Sequence, residues 1–372
     1  MPRILIVQPS APAYRRRFFE CLAAEADVEL LCSESSLDGA GSDLAGVNCR
    51  YEIVPQYCIG RRAAWQPGLV SKVLRDPPEI LVINGNPRYI SSMIAMFVAR
   101  LRRVPVVWWG HAVSATSVPR RAAWRYRLMR MSTRIFVYYP EEIARLPDNL
   151  KQRAVGLDNS FDTSASLAVS DSLSRHDIEV FRTAASLTAP LILTIGRLTA
   201  KARIDILLDA MRLLKDDNFN LQLAILGGGE LQPYLRDRVR EVGLTEEILF
   251  VGKIFDENEI GRWMRASQLF VYGGAVGLSL LHAFSYGLPA VISSPLSSHM
   301  PEALLFRDGE HGALFESRNP QSLAATIKRV LSNPEQLDAM GARAQQLVRD
   351  RLSVEKMAQN FLRGLAGLSR KG

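Results

Sequence analysis

Cysteine is scarce in this chain of 372 residues: Cys21, Cys32, Cys49 and Cys58 are the four, with no Cys-x-x-Cys pair and no metal-ligand spacing. Such usage argues against a disulfide framework and fits reduced thiols in the cytosol. No apolar run reaches the roughly 20 residues of a membrane-spanning helix. The longest, 90–98 and 104–109, suit buried elements. The opening Met1-Pro2-Arg3-Ile4-Leu5-Ile6-Val7 reads as a strand from the outset, without the pattern of a secretory signal, so a cytoplasmic protein is expected. Internal repeats and low-complexity tracts are missing. So are zinc-finger, ribonucleoprotein and KH motifs, and nucleic acid is not expected as a partner. Between Ile80 and Pro140 there is no acidic residue at all.

That acid-free stretch carries ten arginines, six of them between Arg120 and Arg134. Residues 1–165 hold 22 Lys and Arg against 15 Asp and Glu, which is nearly all of the net charge of +8. Trp124, Tyr126, Leu128 and Met129 interleave with Arg120, Arg121, Arg125 and Arg127. A basic stretch of this kind suits an anionic membrane surface, so a peripheral protein on the inner face of the cell membrane is expected. A solvated helix face balanced by other residues is the plainer alternative.

With 48% hydrophobic residues, the chain can bury two cores. Apolar strand-like runs alternate with amphipathic stretches throughout. The first half gives strands at 3–7, 28–32, 79–83, 104–108 and 134–137; the second at 191–195, 221–226, 248–251, 269–272 and 290–292. Continuous apolar strands separated by helices predict parallel sheets covered on both faces. Two such sets predict an α/β protein of two doubly wound, Rossmann-like domains facing across a cleft. The expected boundaries are 1–165, a Ser/Ala/Thr-rich linker at 166–188, and 189–352, with a terminal helix at 353–368 packing back onto the first domain.

In open α/β sheets, ligands bind beyond the carboxyl ends of the strands. Four successive strands of the second half end in glycine: Gly196-Arg197, Gly227-Gly228-Gly229, Gly252-Lys253 and Gly273-Gly274. Lys201 and Arg203 follow the first. The last runs through Val276-Gly277 into an apolar helix from Leu278-Ser279. That arrangement aims backbone N–H groups and a positive helix end at one point, where a diphosphate would sit. A buried helix with small residues for close packing is the alternative from that stretch alone. In the first half, Tyr14 and Arg15 follow the first strand and offer a second cationic loop, or equally a basic helix start on the surface. His176, His299 and His311 read as surface or loop residues.

With these motifs the chain resembles the retaining family 4, or "group 1", glycosyltransferases of the GT-B fold. The resemblance rests on Gly196-Arg197-Leu198, Asp205, Leu207-Leu208 and Ala210, on Gly227–Gly229, on Phe250-x-Gly252, on Gly277-Leu278-x-x-Leu281-x-Ala283-x-x-x-Gly287-x-Pro289, and on Gly312-x-Leu314-Phe315. It is good over 190–332 and looser in the first half, where Trp109-Gly110-His111 falls at the family's histidine position. The resemblance implies a nucleotide-diphosphate sugar held by the second domain and an acceptor held by the first. It also implies no metal in the site, and the sequence has no Asp-x-Asp motif. It assigns His111, Arg197 and Lys201 to the reaction. Donor binding falls to Gly196, Arg203, Gly227, Gly228, Gly229, Gly274, Val276, Gly277, Leu278, Ser279 and His282, and an acceptor or phosphate loop to Tyr14 and Arg15.

Two family features differ. The glutamate pair falls on Gly274 and His282, and the family's lysine position is Ala202, flanked by Lys201 and Arg203. The expected function is transfer of a sugar, with retention at the anomeric carbon, to a saccharide acceptor expected to be lipid-linked, in glycan assembly. Another GT-B enzyme, such as a nucleotide-sugar epimerase or a glucan synthase, and a non-catalytic partner subunit are the alternatives.

Overall fold

The computed structural model describes residues 2–60, 63–112 and 119–370, apart from the side chains of 119–121. The chain forms two compact units. Unit 1 holds the residues up to Asp162 and those from Ser353 onward; unit 2 is Thr163–Leu352.

Unit 1 begins with β1 (Arg3–Val7), α1 (Arg16–Glu25), β2 (Asp27–Cys32) and β3 (Arg50–Ile53). A hairpin of β4 (Tyr57–Ile59) and β5 (Ala63–Trp65) follows, then α2 (Leu69–Arg75), β6 (Ile80–Asn84) and α3 (Ile90–Leu101). β7 (Val106–Trp109), α4 (Pro119–Met129), β8 (Arg134–Val137), α5 (Asp148–Lys151) and β9 (Ala154–Gly156) complete this part. Seven of these strands form one sheet in the order β3-β2-β1-β6-β7-β8-β9, with parallel pairing throughout. Successive residues of β1 feed opposite faces, as the pleat requires. Ile4 and Ile6 join Phe18, Phe19 and Leu22 of α1. Leu5 and Val7 join Leu69, Val73, Ala95, Met96, Ala99 and Met129 of α2, α3 and α4. Burial on both faces is why these strands read as unbroken apolar runs.

Unit 2 opens with α6 (Thr163–Ser172) and α7 (Arg175–Ala184). The expected linker at 166–188 is therefore helical and part of unit 2. It packs closely on the helix Glu257–Ala266: a Cβ on Gly261 would meet Val169, and Phe181 of α7 meets Trp263 edge to face with ring centroids 5.0 Å apart. Ser174 caps α7 by accepting the Asp177 N–H, and the Asp177 carboxylate accepts the Ser174 N–H. Then come β10 (Leu191–Ile195), α8 (Ile204–Asp216), β11 (Gln222–Leu226), α9 (Gln232–Glu241), β12 (Ile248–Gly252) and α10 (Glu257–Ala266). The unit ends with β13 (Leu269–Tyr272), α11 (Leu278–Ser285), β14 (Ala290–Ser294), β15 (Gly312–Glu316), α12 (Pro320–Leu331) and α13 (Pro334–Arg351). Its six strands are parallel in the order β12-β11-β10-β13-β14-β15. The order reverses between β10 and β13, which is the position where such sheets open a crevice.

The last helix, α14 (Val354–Leu365), lies in unit 1. Phe361 is its anchor, with ring centroids 5.6 Å from Phe18, 5.4 Å from Trp109 and 5.0 Å from Phe136. Phe361 is fully buried. Phe361→Ala is expected to destabilise unit 1 by about 3–5 kcal/mol, read as a lower urea midpoint. An unchanged midpoint would show that the helix is not part of the core.

Candidate functional site

In unit 2 the predicted site residues meet at the carboxyl ends of β10, β11, β12 and β13. The loops lean on one another through backbone. The Gly196 N–H donates to Leu226 O at 3.0 Å, Leu198 N–H to Gly228 O at 3.1 Å, and Gly227 N–H to Gly252 O at 2.6 Å. A one-residue shift in the β11–β12 register between Ile225 and Leu226 brings Gly252 into that position. A Cβ on Gly227 would overlap the carbonyl oxygen of Gly196, and one on Gly229 would reach within 2.5 Å of the Leu198 oxygen. Loop-on-loop packing thus accounts for glycine here by itself, whatever ligand binds.

The same holds on the other side of the reversal. The Ala275 N–H donates to Lys201 O at 3.2 Å, and a Cβ on Gly274 would overlap that carbonyl. The 201–203 turn occupies the space into which a side chain at 274 would project. The turn that carries Lys201 and Arg203 thus excludes a glutamate at 274. Ala202 is buried, while Lys201 and Arg197 are exposed. Arg203, in a left-handed conformation at the start of α8, binds Asp205 through both Nε and Nη2. Its guanidinium serves the helix start, while Arg197 and Lys201 stand exposed beside the crevice. The sequence reading gave no role to Lys253, whose side chain lies over Gly228. Its position after a glycine strand end was the available signal.

Behind the 273–277 loop sits His299, which is buried and is not a surface residue. Its Nδ1 accepts the Val276 N–H at 3.1 Å and its Nε2 donates to Ser293 O at 2.6 Å. Burial lowers the imidazole pKa, so the ring stays neutral and keeps both bonds. Glu302 is buried beside Gly277, with one carboxylate oxygen 3.7 Å from where a Cβ would stand. Sequence reading gave neither a place in the site: both lie past the end of β14, a strand end without the glycines that marked the other four. His311 is also buried, against Phe284, whereas His176 is exposed.

His282 lies on α11 with Nε2 2.7 Å from the Glu257 carboxylate, which also accepts the Tyr286 hydroxyl at 2.7 Å. Burial works to raise the Glu257 pKa. The hydrogen bonds and charge of His282 and the hydroxyl of Tyr286 overcome it and hold the group at about 2. The tie binds α10 to α11 and fixes the helix whose amino end faces the crevice.

In unit 1, His111 follows the end of β7. Its ring packs 4.6 Å from Tyr138, centroid to centroid, and its carbonyl accepts Arg125 Nη1 at 3.4 Å. Burial, with the Arg125 charge adding, pushes the imidazole down to about 4, so it is neutral near pH 7. Glu142, buried and absent from the sequence reading, positions this loop. It accepts the N–H groups of Ala112 at 3.0 Å, Tyr138 at 2.9 Å and Tyr139 at 3.3 Å. Arg15 is buried rather than offered to solvent. Its Nη2 donates to Asn159 at 2.6 Å, Nη1 reaches Met357 Sδ of α14, and Tyr14, Phe18 and Trp109 surround the cation. Arg15 fastens α14 to the sheet. A cavity of about 170 Å³ opens beside it, lined by Tyr14, Asn86, Tyr89, Trp109 and Tyr138. A larger hollow of about 720 Å³ lies at the opposite, amino ends of β2 and β3, away from these groups. Among the described residues no cluster of His, Cys, Asp and Glu could hold a metal ion.

Residues 176–347 match the model of the family described as Glycosyl transferases group 1. Among curated proteins, an exopolysaccharide phosphotransferase of Streptomyces coelicolor is 30% identical over 45% of this chain and 17% of its own length. The N-acetylgalactosamine-N,N'-diacetylbacillosaminyl-diphospho-undecaprenol 4-alpha-N-acetylgalactosaminyltransferase of Campylobacter jejuni is 29% identical over 46% of each chain. The matches thus span less than half of these relatives. The Anabaena protein HepE, solved with UDP and with UDP-glucose, superposes on 99% of this chain and all of its own with a TM-score of 0.76 at 18% identity. Two parallel-sheet α/β units with this likeness make the fold GT-B, and unit 2 is similar to the group 1 transferases.

Two outcomes follow from this geometry. Gly274→Ala should cost about 1–3 kcal/mol of stability in urea unfolding, because the methyl group meets rigid backbone. Gly277→Ala should cost less, since its nearest neighbour is the flexible Met300 side chain at 3.3 Å. Equal costs would show that the 201–203 turn yields easily. The Glu257 carboxyl, at about 2 folded against 4.5 unfolded, contributes stability above pH 4.5 that is lost as pH falls toward 2. Glu257→Gln is expected to lower the neutral-pH unfolding midpoint and to flatten that acid limb. An acid limb as steep as that of the parent protein would place the titration elsewhere.

Proposed function

We propose that this chain transfers a sugar, with retention of anomeric configuration, from a nucleoside-diphosphate sugar to a saccharide acceptor. The observation that carries the reading is the placement of Arg197 and Lys201 with the amino end of α11 at the strand-order reversal of unit 2. A helix leaves its first-turn N–H groups without intrahelical partners. With two cations and a positive helix end, the crevice suits an anion of two linked phosphates. Fixed charges there stabilise the diphosphate as it leaves, and this reading assigns that work to protein groups rather than to a metal. His111 of unit 1 is neutral, so it can offer a hydrogen bond but not an acidic proton.

The relatives' names bear on the class of substrate. HepE was solved with UDP and UDP-glucose, and the Campylobacter relative is named for an undecaprenol-linked acceptor. We read the acceptor here as lipid-linked, used at the inner face of the cell membrane in glycan assembly. One observation favours a second reading, a non-catalytic nucleotide-binding homologue: the 201–203 turn leaves no room for an acidic side chain at 274. Nucleotide binding without sugar transfer or donor hydrolysis would decide for it.

UDP and GDP are expected to raise the melting temperature, because a ligand of the folded state stabilises by mass action. Arg197→Ala and Lys201→Ala should each weaken binding roughly 10- to 100-fold, the worth of a charge-assisted hydrogen bond. Arg203→Ala should change affinity little. Binding and turnover should persist in EDTA. A diphosphate that produces no shift, or an Arg203 effect equal to that of Arg197, would overturn the assignment.

A further inference from the structure

The helix layer of α2, α3 and α4 covers one face of unit 1, and its outer side is unusual. On α3, Ile94, Phe97 and Leu101 are 41%, 54% and 70% exposed. Their i, i+3, i+7 spacing stacks them on one outward face, opposite the buried Ala95, Met96 and Ala99. Leu74 of α2 and Trp124 of α4 add 50% and 58% exposed apolar surface on the helices of the same layer. Single exposed apolar residues are ordinary on a soluble protein; a stripe of three large ones is not. Arginines rim this face. Arg100 and Arg102 are exposed at the carboxyl end of α3, and Arg127 and Arg130 on and just after α4. Arg100 donates to Met131 O at 2.6 Å, which holds the ends of α3 and α4 together. Arg370 donates to Arg102 O and brings a further cation to the same end. No acid lies between Ile80 and Pro140. Asp76, at the end of α2, is bound by Arg3.

We propose that this face docks onto an anionic lipid surface, with Phe97, Leu101, Ile94 and Trp124 entering the headgroup boundary and the arginines meeting lipid phosphates. Charge decides for lipid over a second copy of the chain: two such faces would set arginines against arginines. Apolar stems with charged tips suit an interface that is wet on one side and oily on the other. The proposal rests on the lipid-linked acceptor reading and moves its seat. Sequence reasoning placed docking on Arg120, Arg121, Arg125 and Arg127. Arg125 turns inward to the His111 carbonyl, with burial lowering its pKa. The side chains of Arg120 and Arg121 lie outside the described residues. Only Arg127 of the four is seen exposed, and α3, with no role in that reading, supplies the apolar contact.

The test uses the full chain and sedimentation with vesicles of phosphatidylcholine, alone or mixed with phosphatidylglycerol. Binding is expected on the mixed vesicles only, falling in high salt. Arg100→Gln with Arg102→Gln should reduce partitioning about 30-fold at low salt, from about 1 kcal/mol per arginine and tenfold per about 1.4 kcal/mol. Phe97→Ser with Leu101→Ser should reduce it at least tenfold and remove what binding survives in high salt. Melting curves with and without UDP verify that each variant is folded and keeps its nucleotide site. Equal binding to both vesicle types, or variants that bind as the parent does, would overturn the proposal. So would a lipid-independent dimer that Phe97→Ser with Leu101→Ser dissociates. A lost UDP response in the parent protein with lipid binding intact would instead sink the transferase reading and leave the docking face standing.

Discussion

The site in unit 2 depends on backbone meeting backbone. At four places around the strand-order reversal, one loop's peptide lies where another loop's Cβ would be: Gly227 on Gly196, Gly229 on Leu198, Gly273 on Arg203 and Gly274 on Lys201. Side chains would hold these loops apart. Without them the amides of four strand ends converge, and hydrogen bonds between Gly227 and Gly252 and between Ala275 and Lys201 fix the spacing. The strand-end loops that face the crevice, with Arg197, Lys201 and Lys253, are carried on this glycine lattice. Packing of this kind has little slack, since peptide groups have no rotamers to adjust.

A second constraint holds the lattice from behind. His299 takes its two bonds from opposite sides, the Val276 amide and the Ser293 carbonyl, and does so only as neutral imidazole. The Glu257, His282 and Tyr286 cluster does the same for α11 from its other end. In unit 1, Glu142 gathers three backbone amides and so ties the chain just after His111 to the end of β8. Each case places a buried polar group where it is fully committed to backbone or to a partner, which is the arrangement that rigidifies rather than destabilises.

Strands buried on both faces were legible in the sequence because they are unbroken apolar runs, and β1, β8, β10 and β13 begin and end where the pattern puts them. The edge strand β3, Arg50-Tyr51-Glu52-Ile53, was not, since all four residues are exposed and no period marks it. Segment 166–188 looked like a linker because small residues serve flexibility and close helix packing equally well; only the neighbours Gly261 and Trp263 tell the two apart. Within the site, glycine positions and Lys201 could be read from strand ends. The fate of a charged side chain could not. Arg15, Arg125 and Arg203 are as basic in sequence as Lys201, and what commits them is Asn159, the His111 carbonyl and Asp205, the first of which is 144 residues away in the chain.

The return of α14 to unit 1 has a consequence for synthesis. Phe18, Trp109 and Phe136 are joined in the core by Phe361, which the ribosome delivers only after all of unit 2. Until then the sheet of unit 1 has one face short of its cover, with aromatic rings and the Arg15 cation awaiting a helix more than 200 residues downstream of Phe136. Unit 2 is contiguous and can close as it emerges. The first half of the gene thus encodes the part of the protein that matures last, and the nascent chain must keep an oily sheet face from other partners throughout translation.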